Sequence, residues 1–563
     1  MSTTNKPRLR LTIDAGWDEE DDVSESSYAT NSSLECKNID GQGYVKLPKT
    51  GTEMKGPNKS GFAPIWGFEM VPTSTYASFS HCWGQAKTLK LLQTNKVELQ
   101  NGIEIATLPA SYKEALDVMV GFGIKFIWID SLCIIQDSKD DWRAEAATMC
   151  DVYRNSLLNI SACAAAENSE LSFQNRDTGT IRPMEVFPKW RGIKNERFLV
   201  TNTDIWMQEV EESPLYRRSW VLQEARLSTR NLCLTRNQLW WGCRGGTFCE
   251  TWPDGLPNDM DNAKGRERAS ASGQTFTHFM WCSLVEKYTT CGITVLSDRM
   301  IAIAGLATAY HEDFAGDEYI AGMWRSQLRQ SLCWVAGPDE MVPMKYRTTE
   351  YRAPSWSWAS VEGGVYFHHT RYGPDGNHPT SVCDVLDIKL SKVGPSPYGE
   401  VTGGFLRLRA PLVEVEVGDE ALRFQGADGG FHLIPGTAED LDQERWNFDQ
   451  YTSVVLDEYT SYIEAMISHI SAPAIDLSKS VEFNAAKRMT RVAEQWTKVD
   501  GRLFCAPIIE WNSPEGSEGA GIVLVLPNSG PVGCYQRVGS FRWKGEKVQS
   551  HLHSLKLREF NII

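Results

Sequence analysis

The sequence predicts an α/β protein, with a parallel-sheet core in its N-terminal half, a helical extension, and a β-rich C-terminal region. Three observations predict this. Between residues 75 and 166, β-type runs alternate with segments of helical period, as in strands joined by crossover helices. The run KFIWI, 125–129, is apolar at nearly every position, as a strand covered on both faces must be. Beyond Pro354 the character changes to short alternating runs, among them FLRLRAPLVEVEV, GIVLVLP and YQRVGSFRW, set apart by Gly, Pro and Asn.

Each element has its own signal. TYASFSHCW, 75–83, reads as a strand ending on Ser80, His81 and Cys82, with a turn at Gly84. LPASYKEALDVMVGFG, 108–123, reads as a helix. Leu108, Tyr112, Ala115, Met119 and Phe122 share one face, Pro109 suits the first turn, and Gly121 or Gly123 ends it. Ser138 stands three residues before Asp141, a capping-box-like start for a helix whose stripe is Trp142, Ala146, Met149 and Tyr153. LLNISACAAA, 157–166, returns to strand character. Residues 215–243 read as a short helix followed by strands, 252–275 as a loop, and 276–336 as helical, with a helical insert expected around 475–498. The expected division is a polar, largely disordered leader at 1–60, an α/β core at 62–245, a loop and helical extension at 246–350, and the β-rich region at 351–563.

Composition narrows the function. The 563 residues carry a net charge of −15, which disfavours nucleic acid or an anionic membrane as the main partner. Fourteen cysteines lie scattered with no CxxC pair, and no apolar run reaches signal-peptide or membrane-span length. A soluble, cytoplasmic protein with reduced thiols is the expectation.

The chemistry is expected where strands end. In open parallel sheets, ligands bind beyond the carboxyl ends of the strands. A carboxylate inside an apolar strand costs several kcal/mol, roughly, unless paired, so Asp130 is read as the last strand residue, facing a crevice or capping the loop beyond. Glu145 sits about 60° around its helix from Trp142, at the edge of the buried stripe. Shielding by Trp142 would raise its pKa, as a general acid or a cation-stabilising carboxylate needs, and the competing reading is an exposed glutamate favoured by the helix dipole. His81 and Cys82 are strand neighbours and point to opposite faces. A Cys133 nucleophile with His81 as base is a further option, against which stands the ordinary role of buried cysteine as apolar filler. Cys233, Cys243, Cys249, His278, Cys282 and Cys291 fit no zinc spacing, so no metal is expected. No GxGxxG, P-loop or GxSxG occurs.

Seven motifs follow one another: SHCWG (80–84), LPASYKEAL (108–116), FIWIDSLCIIQD (126–137), DWRAEAATMCDVYRNS (141–156), RSWVLQEARLSTR (218–230), WWGC (240–243) and APSWSWAS (353–360). Together they resemble the HET domain of fungal heterokaryon-incompatibility proteins, over about 70–230. The resemblance implies self/non-self recognition and programmed cell death, exerted through protein partners or self-association. It also implies a distant similarity to TIR domains, a flavodoxin-like α/β module. Some TIR domains cleave NAD with a helix glutamate just after a Trp-containing turn, which Trp142-Arg143-Ala144-Glu145 resembles. NAD then becomes a candidate substrate, with no cofactor required. The motif residues expected around the crevice are Ser80, His81, Trp83, Asp130, Gln136, Asp137, Trp142, Arg218, Trp220, Gln223 and Glu224. Arg218 is expected to pair with Asp130 or Glu224. Trp356 and Trp358 are expected to seal the α/β core against the β-rich region. The functional alternatives are thus a signalling and interaction module, a TIR-like NAD glycohydrolase using Glu145, and a cysteine hydrolase.

Overall fold

The computed structural model describes residues 75–84, 89–172, 179, 181–187, 198–243, 245–257, 278–311, 316–336, 351–367, 379–394, 396–417, 501–513, 516–527 and 533–563, with short strand pieces at 44–45, 422–425, 431–432 and 454–456. The chain divides into two compact units, Met1–Thr275 and Phe276–Ile563. Most of the expected leader and the helical insert expected at 475–498 lie outside the described residues.

The first unit is built on a six-stranded sheet. Its elements in chain order are β1 (Tyr76–Ser80), α1 (Ala110–Gly121), β2 (Phe126–Ile129), α2 (Lys139–Asn155), β3 (Leu158–Ser161), α3 (Ser219–Leu227), β4 (Arg230–Leu234), β5 (Leu239–Cys243) and β6 (Gly246–Cys249). Across the sheet the order is β6-β5-β4-β3-β1-β2. The first four strands in sequence run parallel: Phe79 lies opposite Ile129, Ser80 opposite Ser161, and Ser161 opposite Cys233. β5 and β6 add on antiparallel. The carboxyl ends of β1, β2, β3 and β4 therefore share one edge of the sheet.

Local chemistry explains the helices. The Ser138 side chain accepts a hydrogen bond from the Asp141 amide and so caps α2. The reciprocal half of a capping box is absent, because the Asp141 carboxylate reaches back to the Ile135 amide at 2.7 Å. On α1 the expected stripe holds for Tyr112, Ala115 and Met119, which are buried with Phe79, Ile129 and Ile160. Phe122 falls beyond the helix end and stays 42% exposed, stacked on Trp241. On α2, Met149 and Tyr153 are buried, while Trp142 and Ala146 are half-buried.

Strand β1 shows the alternation that organises this unit. Ala77 and Phe79, with His81 just past the strand, face α1, and Phe79 and His81 each pack against Tyr112. Tyr76 and Ser78 face the other way, toward α2: the Tyr76 hydroxyl donates to the Val152 carbonyl and Ser78 to Ser156. Cys82 continues that second side, among Val210, Leu215, Val221 and Trp240. His81 and Cys82 are on opposite faces, as strand geometry requires.

The second unit contains helices α4 (His278–Thr290) and α5 (Ile301–Tyr310) and a large, almost wholly antiparallel sheet. Its long strands are β7 (Asp384–Lys392), β8 (Val401–Pro411), β9 (Val413–Val417), β10 (Gly501–Ser513), β11 (Gly516–Pro527), β12 (Cys534–Lys544) and β13 (Leu557–Ile562). They lie in the order β7-β8-β13-β12-β11-β10-β9, and only β12 and β13 pair in parallel. The β-rich expectation for this region holds.

The tryptophan motif lies within the second unit. Trp356 and Trp358 are fully buried, but the partners found for them belong to the second unit itself. Trp358 Nε1 donates to the Gly322 carbonyl, which also accepts from Trp281, and the Trp356 carbonyl accepts from Trp334. Gly322 has φ +95°, and a Cβ there would lie 2.5 Å from Trp358 Nε1. Only glycine combines that backbone conformation with so close an approach.

Candidate functional site

The candidate site gathers at the carboxyl ends of β1 and β2. Strand β2 ends at Ile129, and Asp130 opens a single helical turn, Asp130–Cys133. One Asp130 carboxylate oxygen accepts the Ser131 amide at 2.6 Å and the other accepts Trp83 Nε1 at 2.9 Å. The aspartate thus fixes its own turn and ties it to the segment beyond β1. Lys90 lies over the Trp83 ring, 4.6 Å from its centre. Gln136 donates to the carbonyls of Asp130 and Ile134, closing the same loop, and Asp137 accepts the Gln93 amide on the outer surface.

On the α1 side, Tyr112 joins the strand ends. Its hydroxyl lies 2.6 Å from Ser131 Oγ and 3.0 Å from His81 Nε2, and His81 Nε2 is 3.7 Å from Asp130. Burial holds the His81 pKa below its ordinary value, against the pull of Asp130, so the imidazole is neutral at physiological pH. Sequence reasoning assigned Tyr112 to the apolar stripe and missed its hydroxyl. The available signal was a tyrosine among aliphatic residues, since a buried phenol needs a partner for its polar tip.

On the opposite face lies a second polar cluster. The Ser78 and Ser80 hydroxyls both reach Asn159 Oδ1, at 2.9 and 3.2 Å, and Asn159 Nδ2 donates to Asn231 and Ser161. Glu224 of α3 hydrogen-bonds Ser80 and Tyr153. Burial pushes its carboxyl up to about 7, while the Arg218 guanidinium and these hydroxyls oppose the shift. Arg218, at the N-cap of α3, donates to the backbone carbonyl of His81. Among the described residues no close ion pair joins it to Asp130 or Glu224, and its charge acts on Glu224 alongside this backbone contact. Gln223 is buried with its side-chain oxygen unpartnered, and Trp220 is half-buried with its ring edge-on to Trp142 at 6.3 Å.

Glu145 stands apart from both clusters. Among the described residues, no hydrogen bond or ion pair joins its carboxylate to Ser80, His81, Asp130, Arg218 or Glu224. It is 7% exposed, and burial, with Asp141 one turn earlier adding like charge, pushes its pKa up to about 7. Its nearest tie to the strand ends is electrostatic: Glu145 and Asp130 both act on Cys133. Burial pushes the Cys133 thiol up to about 12, and Cys82 is raised for the same reason. With His81 committed to Tyr112, neither cysteine has the base or the low pKa of a thiolate nucleophile. The cysteine-hydrolase reading loses its footing.

The family model for the heterokaryon incompatibility protein (HET) matches residues 76–224, from the first residue of β1 to Glu224. The chain carries a HET domain. Ser80, His81, Trp83, Asp130, Gln136, Asp137, Trp142, Glu145, Arg218, Trp220, Gln223 and Glu224 all fall within the matched span. No curated protein and no solved structure matches the chain. Among the described residues of this HET-domain protein, no helix is long and apolar enough to cross a membrane.

Proposed function

We propose that this HET-domain protein is a cytoplasmic signalling module of fungal self/non-self recognition, which triggers incompatibility cell death through protein partners or self-association. One observation carries the reading: most polar side chains of its motifs are spent on one another, with His81 Nδ1, Gln223 Oε1 and the Glu145 carboxylate the exceptions among the described residues. Asp130, Ser131, Tyr112, His81 and Trp83 satisfy each other, and Ser78, Ser80, Asn159, Tyr153 and Glu224 do the same across the sheet. Hydrogen-bonded networks of this kind favour a unique shape, which an assembling module requires. The test is regulated overexpression in a filamentous fungus. Growth arrest that survives Glu145→Gln and is lost in Asp130→Ala supports the reading, and unimpaired growth on expression of soluble wild-type protein refutes it.

A second reading, a TIR-like NAD glycohydrolase, is favoured by Glu145 itself, a buried carboxyl raised to about 7 and left without a hydrogen bond among the described residues. The order β2-β1-β3-β4 of the parallel strands supports it as well, being the start of a flavodoxin-like sheet, although β5 departs by running antiparallel. Purified protein incubated with NAD should release nicotinamide, and Glu145→Gln should not. Equal rates in the two proteins, or none in either, would remove this reading.

A further inference from the structure

Helices α2 and α3 both lead into neighbouring parallel strands, so both run against those strands and parallel to each other. Leu158 of β3 and Arg230 of β4 stand side by side, next to the paired Asn159 and Asn231. Counting back along each helix from these aligned starts, Tyr153 and Glu224 come out level, and they do meet. On the same count Trp142 stands highest, Glu145 comes next, and Trp220 lies below it. Glu145 thus neighbours one member of an indole pair, Trp142 and Trp220, whose rings are in edge-to-face contact. Trp142 is one turn before Glu145 on the same side of α2.

Three properties of this corner point to a ligand. Glu145 is nine-tenths buried, with 7% of its surface open to solvent, and no described residue hydrogen-bonds its carboxylate. Both tryptophans are half-buried, leaving indole surface available. Nearby charge is acidic: Asp141 faces the same way one turn earlier, its carboxylate on the Ile135 amide, while Arg143 is exposed beside Asp140. A carboxylate without donors, next to an indole pair, is complementary to a cation that carries N–H groups. A guanidinium fits best, since it stacks flat on an indole while its fork meets the carboxylate with two hydrogen bonds.

We propose that Glu145, Trp142 and Trp220 form a binding site for a guanidinium-type organic cation, carried by a small molecule or by an arginine side chain of a peptide. The site shares Glu145 with the hydrolase reading but needs no turnover. Calorimetric titration of the full chain with methylguanidinium, N-methylurea as its neutral isostere, and a capped Gly-Arg-Gly peptide tests it. Methylguanidinium should bind and N-methylurea should not. The peptide arm identifies the carrier: tighter binding than methylguanidinium marks a peptide ligand, and weaker binding a small molecule. The groups acting on Glu145 are Asp141 on its own helix and Cys133 on the turn after β2. Affinity should therefore follow ionisation of this one carboxyl, rising about tenfold between pH 6 and pH 8. Glu145→Gln, nearly isosteric and checked for folding by circular dichroism, should weaken binding at least tenfold and abolish that pH dependence. Failure of methylguanidinium to bind, equal binding of N-methylurea, or unchanged affinity in Glu145→Gln overturns the proposal. Cation binding without nicotinamide release leaves the site standing and removes the hydrolase; release without cation binding does the reverse.

Discussion

The surroundings of Glu224 on α3 and of Glu145 on α2 make an instructive pair. Both glutamates are buried, and burial pushes both carboxyls to about 7. Glu224 lies among the Ser80 and Tyr153 hydroxyls and feels Arg218 nearby, so its shift belongs to a tie between β1, α2 and α3. Glu145 has a like charge for its main electrostatic neighbour and lies one turn from Trp142, which meets Trp220. The same displacement from ordinary behaviour thus accompanies a structural bond in one place and an uncommitted group in the other. A shifted pKa alone does not separate a candidate site from a structural network, since both arise from burial.

The sharpest break of this comparison is truncation. Glu224→Ala should cost about 3 kcal/mol in urea unfolding, because two buried hydroxyls lose their partner and a cavity remains. Glu145→Ala should cost well under half of that, and equal losses would show that both carboxyls are structural. Next comes Trp142→Ala. The ring is half-buried, so its removal should lower stability by about 2 kcal/mol instead of the 3–5 typical, roughly, of a fully buried tryptophan. Asp130→Asn should cost about 1 kcal/mol, since the amide can still accept one of the two hydrogen bonds from Trp83 and Ser131. Loss of the Trp83 tether would be read as an upfield-shifted indole proton in its NMR spectrum, against an unshifted one in Glu145→Gln.

The smallest effect concerns pH. Both folded-state values lie above the ordinary 4.5. The folded chain therefore holds these protons more tightly than the unfolded chain. The stability they contribute is complete below pH 4.5, declines as pH climbs toward 7, and is gone above it. Glu145→Gln should match wild type near pH 4 and exceed it at pH 8 by on the order of 1 kcal/mol, the open carboxylate tip limiting the difference. Identical unfolding curves at pH 8 would mean that Glu145 is solvated like a surface residue.

Much of the first unit was legible because it rests on local rules. The apolar run ending at Ile129, the cap at Ser138, the stripe of Tyr112, Ala115 and Met119, and the opposed faces of His81 and Cys82 all follow from periods of 2 and 3.6 residues. Asp130 was expected as the last residue of β2 and instead opens the helical turn just beyond it, still outside the strand interior from which an unpaired carboxylate is excluded. The partners of Arg218 and Tyr112 were not legible. Each is chosen by which distant backbone or hydroxyl comes within about 3 Å, and spacing along one segment carries no such information. Trp356 and Trp358 show the same limit, since the motif announced burial but not the neighbours.

Residue pattern was enough to mark the HET domain, a core of alternating strands and helices, and polar groups where β1 and β2 end. Only the packing of distant segments makes Glu224 a hydrogen-bonded part of the core and leaves the Glu145 carboxylate without a hydrogen bond among the described residues. The physical reason is that burial and period are properties of one segment, whereas a hydrogen bond is a property of two segments brought together by the fold.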